Sequence, residues 1–199
     1  MSNKSGLLVC FASPSGGGKT TVCHALLDRH EDYKFSVSCT TREPRPNESD
    51  GKDYYFLTRD EFEEKITVGA FAEYEEVHGS YYGTLHSAVR AALENQQVLL
   101  VDIDVKGAMS LKEQYGEQCL TIFIKPPSID VLKKRLISRG TETESSFERR
   151  VHRISMEMEL GKHFDQQVIN NTLDDTIDEV ETIIENKRTR VMEAMSNGS

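Results

Sequence analysis

The stretch FASPSGGGKTTV, Phe11 to Val22, constrains this chain more than any other. It closes the short apolar run LLVCFA, Leu7 to Ala12, which reads as a buried strand. It opens Thr20 to His30, where Val22, Ala25, Leu26 and Arg29 recur at helical spacing with no breaker. Strand, glycine turn and helix form the setting in which G-x-x-x-x-G-K-[ST] wraps a phosphate chain. Successive backbone N–H groups of such a turn make an anion nest, and the helix N-terminus reinforces it. Lys19 then reaches the outer phosphates, and the Thr20 hydroxyl faces a magnesium ion. Ser13 stands where the motif has glycine. Serine is tolerated there if its φ stays negative, because only positive φ strictly favours glycine. The plain alternative is a strand–helix turn with surface glycines, and the flanking strand and helix count against it.

The rest of the chain extends this pattern. Its 199 residues suit one compact domain. VLLVDID (Val98 to Asp104), LTIFI (Leu120 to Ile124) and QVIN (Gln167 to Asn170) read as further strands. Helical patterns lie between them, in HSAVRAALENQ and from Ser128 to a stop at Gly140. A last helix is predicted from Thr176, with Glu179 completing a capping box. Its inward residues are Ile177, Val180, Ile183 and Ile184, with Lys187, Arg188 and Arg190 suited to its C-terminal end. Strands alternating with helices predict an α/β fold, a parallel sheet flanked by helices on both faces. Ser36 to Gly83 breaks the rhythm with short strands and one helix capped by Thr58 and Glu61, and reads as an inserted mixed α/β lobe. Ser138 to Arg153 is polar and arginine-rich. The predicted organisation is a core of 1–35, 84–137 and 154–199, a lobe of 36–83 and a short arginine-rich lid of 138–153.

Composition narrows the function classes. A net charge of -9 argues against nonspecific nucleic-acid binding, which calls for a basic excess. Cys10, Cys23, Cys39 and Cys119 form no C-x-x-C pair, a spacing that fits reduced thiols better than a disulfide framework or a zinc knuckle. No apolar run approaches the roughly 20 residues of a membrane helix, and the first residues lack a signal peptide's apolar core. The expected location is the cytoplasm. The guanine-reading N-K-x-D of switch GTPases is absent. Asp102 ends a buried strand, where a carboxylate is costly unless paired or near a cation. A role toward Mg²⁺ through the ion's bound water fits it, as does helix capping. Arg42 and Arg45, three residues apart beside Pro44 and Pro46, offer two guanidinium forks to a phosphate monoester.

TTREPRP, GKDYYF, GSYYGT, LVDIDVKGA, IKPPS and KKRLISRGTETE follow the phosphate loop in that order. With them the chain resembles the guanylate kinase family over nearly its whole length. The resemblance implies phosphoryl transfer from ATP to GMP and dGMP, with Mg²⁺. It implies a GMP-binding lobe in which Arg42, Arg45, Tyr54 and Tyr82 grip the phosphate and Ser38, Glu73, Thr84 and Asp104 read the base. Glu73 makes chemical sense there, since a carboxylate accepts from both N1–H and N2–H of guanine, whereas adenine offers a lone pair at N1. Lys19, Arg42, Arg139 and Arg150 are implied as catalytic, the last two from the lid. For ATP the resemblance implies Ser13, Pro14, Ser15, Gly16, Gly17, Gly18, Lys19, Thr20 and Thr21, with Arg135 and Asn170 near the adenine. The chain departs from the family at Ser13 and at Asn171-Thr172, where an acidic pair is common. The implied partners are GMP and ATP, with no nucleic acid and no membrane, and the tail after Arg190 leaves room for a homo-oligomer. Two other readings are a non-catalytic guanylate-kinase-like protein-binding module and a nucleoside monophosphate kinase of different base choice. Retention of Lys19, Thr20, Arg42, Arg139 and Arg150 speaks against the first.

Overall fold

A computed structural model describes residues 5–14, 17–77, 79–128 and 154–197. The strand at the head of the phosphate loop is β1 (Leu7–Ala12), and every residue of it is buried. It lies at the centre of a five-stranded parallel sheet with β2 (Tyr33–Phe35), β7 (Val98–Asp102), β8 (Cys119–Lys125) and β9 (Gln166–Ile169), in the order β2-β7-β1-β8-β9. Side chains alternate across a strand, and β1 divides accordingly. Leu7, Val9 and Phe11 pack against Val22 and Leu26 of α1 (Lys19–Arg29) and against Ile177, Val180 and Ile184 of α5 (Leu173–Asn197). Leu8, Cys10 and Ala12 face Val89 of α3 (His86–Glu94) and Val105, Ala108 and Leu111 of α4 (Val105–Tyr115). Both faces of the sheet are thus covered, which is why its strands read as continuous apolar runs.

A second sheet is built from residues 39–85. Its order is β4-β3-β6-β5, from β3 (Cys39–Thr40), β4 (Tyr55–Phe56), β5 (Phe71–Val77) and β6 (Ser80–Leu85). β3 runs parallel to β4 and antiparallel to β6, which pairs antiparallel with β5. Helix α2 (Arg59–Thr67) covers this sheet and starts with the expected Thr58–Glu61 capping box. Phe62 of α2 stacks on Phe71 and Tyr81, making a small core of its own.

Two expectations are corrected, and one element is added. Helix α5 begins at Leu173, not Thr176, and runs to Asn197. Thr172 caps it, accepting from the Asp175 amide, while Thr176 is buried. Arg188 therefore sits inside the helix rather than at its end. Its side chain, 3% exposed, donates to Ser5 O, Asp32 Oδ2 and Gln96 O. This ties α5 to the start of β1 and to the turns before β2 and β7. Arg188→Met should lower stability by about 3 kcal/mol, because it removes the hydrogen bonds of a buried guanidinium and strands the buried Ser5 carbonyl, with a fall in Tm of roughly 6–12 °C. A thermal melt checks this, and a change of under one degree would mean that the staple is dispensable. The added element is α4, which the sequence analysis does not assign.

The four cysteines are free and buried. No described helix is long and apolar enough to cross a membrane. The helix expected beyond Ser128, the lid over 138–153 and residues Ser15, Gly16, Arg135, Arg139 and Arg150 lie outside the described residues.

Candidate active site

The loop after β1 turns back at once. Gly17 N–H donates to Pro14 O at 2.8 Å. Gly18, with φ +95°, is the left-handed residue that starts α1. A side chain there would be strained, and its Cβ would stand 2.5 Å from Asn170 Nδ2. Ser13 meets no such demand. Among the described residues Gln96 alone takes positive φ without being glycine, so a serine fits at the motif's first position.

From the first turn of α1, Lys19 Nζ approaches Asp102 Oδ1 at 3.0 Å. Thr20 Oγ1 donates to Asp102 Oδ2 at 2.7 Å. β7 runs beside β1 in register, with Phe11 opposite Asp102, so the carboxylate is delivered to the mouth of the loop. One carboxylate thus holds both side chains that the motif singles out, at the carboxyl edge of a parallel sheet where ligands of α/β folds bind.

The second sheet faces this edge. A bulge between Phe71 and Glu73 resets the alternation of β5. Phe71 turns to the lobe's own core, while Glu73, Glu75 and Val77 line a cleft of about 180 Å³. Lys19, Asp102, Ser38, Tyr54, Tyr82 and Asp104 line the same cleft. Burial pushes the Glu73 carboxyl up to about 7, with Asp104 adding to the effect and the Thr84 hydroxyl and amide opposing it. Thr84, fully buried, is Glu73's partner in the β5–β6 register. Asp104 caps α4, accepting from the Gly107 amide at 2.7 Å. Gly107 has to be glycine for a packing reason, since a Cβ there would sit 2.8 Å from Glu73 Oε2.

Arg42 lies over the Tyr54 ring, 5.4 Å from its centroid, and Tyr54 meets Tyr82 edge-on at 6.0 Å. The Arg42 guanidinium donates to both oxygens of Glu48 at 2.9 Å. Glu48 also accepts from the Arg45 amide at 2.8 Å. Burial alone would raise the Glu48 carboxyl, but the Arg45 amide and the Arg42 guanidinium outweigh it and hold Glu48 below the usual carboxylate range. The Arg45 side chain is 74% exposed.

The geometry therefore joins two halves: a loop and cation set suited to phosphates, and a recessed acid facing a polar cleft. A family model described as Guanylate kinase matches residues 5–187. The chain belongs to the guanylate kinase family. A guanylate kinase of Chlorobium chlorochromatii (strain CaD3) is 45% identical over 182 residues, covering 92% of this chain and 96% of its own. One from Salinibacter ruber is 46% identical over 178 residues, covering 89% and 94%. The crystal structure of guanylate kinase from Anaplasma phagocytophilum superposes with a TM-score of 0.77 at 30% identity, covering 92% of this chain and 87% of that one.

Of the residues the sequence singles out, Lys19 and Thr20 of the phosphate loop meet Asp102 directly, and Ser38, Tyr54, Glu73, Tyr82 and Asp104 share a cleft with Lys19 and Asp102. Thr21 is exposed on α1, and Arg45 points outward. Sequence reasoning missed Glu48, which organises the arginine pair. It also missed Glu75, on the same face of β5 as Glu73 and paired with Lys106 at 3.1 Å. The alternation Glu73, Glu75, Val77 was available as a signal for Glu75. The Glu48 contacts depend on how the 42–48 loop closes, which no local pattern states.

Proposed function

We propose that this chain is a guanylate kinase that transfers the γ-phosphoryl group of ATP to GMP, and to dGMP, yielding ADP and GDP. The observation that carries the reading is one cleft lined by both Lys19 and Glu73. A phosphate-loop lysine and a recessed carboxylate have to face a single cavity if ATP and a guanine nucleotide are to react there. A protein-binding module has no need of the Lys19–Asp102–Thr20 set.

Phosphoryl transfer depends on positioning and charge neutralisation more than on covalent help. The GMP phosphate is itself the anionic nucleophile, so no general base is required. Glu73 accepts from guanine N1–H and N2–H, with Ser38, Thr84 and Asp104 around the base. Arg42, Tyr54 and Tyr82 hold the GMP phosphate, and Arg45 swings in from solvent to join them. Lys19 leaves Asp102 for the phosphates of ATP, where its charge offsets the negative charge that develops during transfer. The Thr20 hydroxyl and Asp102 carboxylate are hard oxygen donors 2.7 Å apart, a set that fits Mg²⁺ held partly through water. When bound, the ion would neutralise charge between the β- and γ-phosphates. The lobe of 36–83 and the lid of 138–153, with Arg139 and Arg150, are proposed to close over the substrates and exclude water. The reaction belongs in the cytoplasm, in keeping with four free cysteines.

The test offers GMP, AMP, UMP and CMP in turn, with ATP, in an assay coupled to ADP release. Turnover should be strong with GMP and at least a hundredfold weaker with the others. Equal use of AMP would reassign the base choice, and no turnover with any nucleotide would favour the binding module.

A further inference from the structure

Asn170 stands at the end of β9, 8% exposed, with its backbone amide bound to Lys125 O. Its side chain points at the phosphate loop. Asn170 Nδ2 donates to Gly17 O at 3.0 Å. A carbonyl can only accept, so the amide nitrogen must be the atom that faces it. The amide oxygen then faces Thr176 Oγ1, 3.3 Å away. Thr176 is 1% exposed, and its single hydroxyl proton is shared between that oxygen and the nearer Thr172 O, 2.7 Å away.

In a trans peptide the carbonyl of one residue and the N–H of the next point in opposite directions. Holding Gly17 C=O toward Asn170 therefore aims Gly18 N–H the opposite way, away from the end of β9. That N–H belongs to the left-handed residue at the helix start, the position where an anion nest needs its donors aligned. The contact also accounts for the crowding at Gly18, whose missing Cβ leaves room for the Asn170 amide.

We infer that Asn170 is a positioning residue for the phosphate-binding amides, oriented by Thr176, and that its side chain acts on the phosphates of ATP through the loop rather than on the adenine. The inference rests on the kinase reading for its substrate. Neither residue touches the reacting atoms.

The experiment measures binding of ATP and of inorganic tripolyphosphate, which has no base, by calorimetry in the full chain. Asn170→Asp places a carboxylate against Gly17 O and should weaken both ligands in parallel, by about tenfold or more, with GMP binding unchanged. Thr176→Val frees the amide to rotate and should weaken both by about threefold, and Thr176→Ser, which keeps the hydroxyl, should restore them. Loss of ATP affinity with tripolyphosphate unaffected would mean that Asn170 contacts the base, and would overturn the proposal. A lowered Tm with both affinities intact would reduce the pair to a structural role and overturn it equally. Failure of the kinase reading is separate: a wild-type chain that binds tripolyphosphate yet never phosphorylates GMP would sink that reading while leaving the loop measurement interpretable.

Discussion

Lys19→Ala should lower kcat by about a thousandfold, near the upper end of what one preorganised charge contributes in the transition state. The side chain is 22% exposed, and its partner is Asp102. Removing it leaves no cavity in the core, so the melting temperature should move by no more than a few degrees. The loss should fall on kcat and kcat/KM together, because the lysine's contact strengthens as charge develops on the transferring group. Steady-state kinetics beside a thermal melt separates this from unfolding. A folded variant with near-normal turnover would show that the loop binds phosphate without acting on it.

Glu73 carries the second large effect. Glu73→Gln keeps one acceptor but sets an NH₂ against a guanine donor. A buried mismatch of that kind costs about 1–3 kcal/mol, or roughly ten- to a hundredfold in kcat/KM for GMP. Weak AMP use should not fall in parallel, since the phosphate grip is untouched. The raised carboxyl adds a pH signature. With burial pushing it up to about 7, Glu73 is ionised above that pH and neutral below it. Guanine needs the ionised form, so binding is complete above pH 7 and weakens as pH falls through it. From pH 8 to pH 6 the loss should be about tenfold, the change in the ionised fraction. Guanosine is the probe of choice, because the second ionisation of the GMP phosphate lies at about 6 and overlaps. The step should vanish in Glu73→Gln. A step that persists in the variant would assign it to another group.

Legibility in the sequence followed the range of the interaction. β1, the phosphate loop and α1 were readable because strand, turn and helix signals are adjacent. The Thr58–Glu61 box was readable for the same reason. The start of α5 was not. Thr172 and Thr176 each have an acid three residues on, and both could cap a helix. The fold chooses Thr172 because the Thr176 hydroxyl is buried against Asn170, a contact made only once β9 and α5 are packed. Arg188 misled in the same manner. Its charge suits a helix end, but three acceptors from distant segments draw it inside. In the site, Glu73 owed its selection to the family resemblance alone. The bulge and the Gly107 contact that recess it are three-dimensional facts.

The most direct measurement of the central claim follows the phosphorus atom itself. The protein, γ-³²P-ATP and GMP are mixed in the presence of Mg²⁺, and the nucleotides are separated before equilibrium. The account predicts label in the β-phosphate of GDP, mole for mole with ADP formed, and little in free phosphate, as the proposed closure of lobe and lid requires. Label appearing chiefly as inorganic phosphate, or remaining in ATP while GMP stays bound, would contradict it.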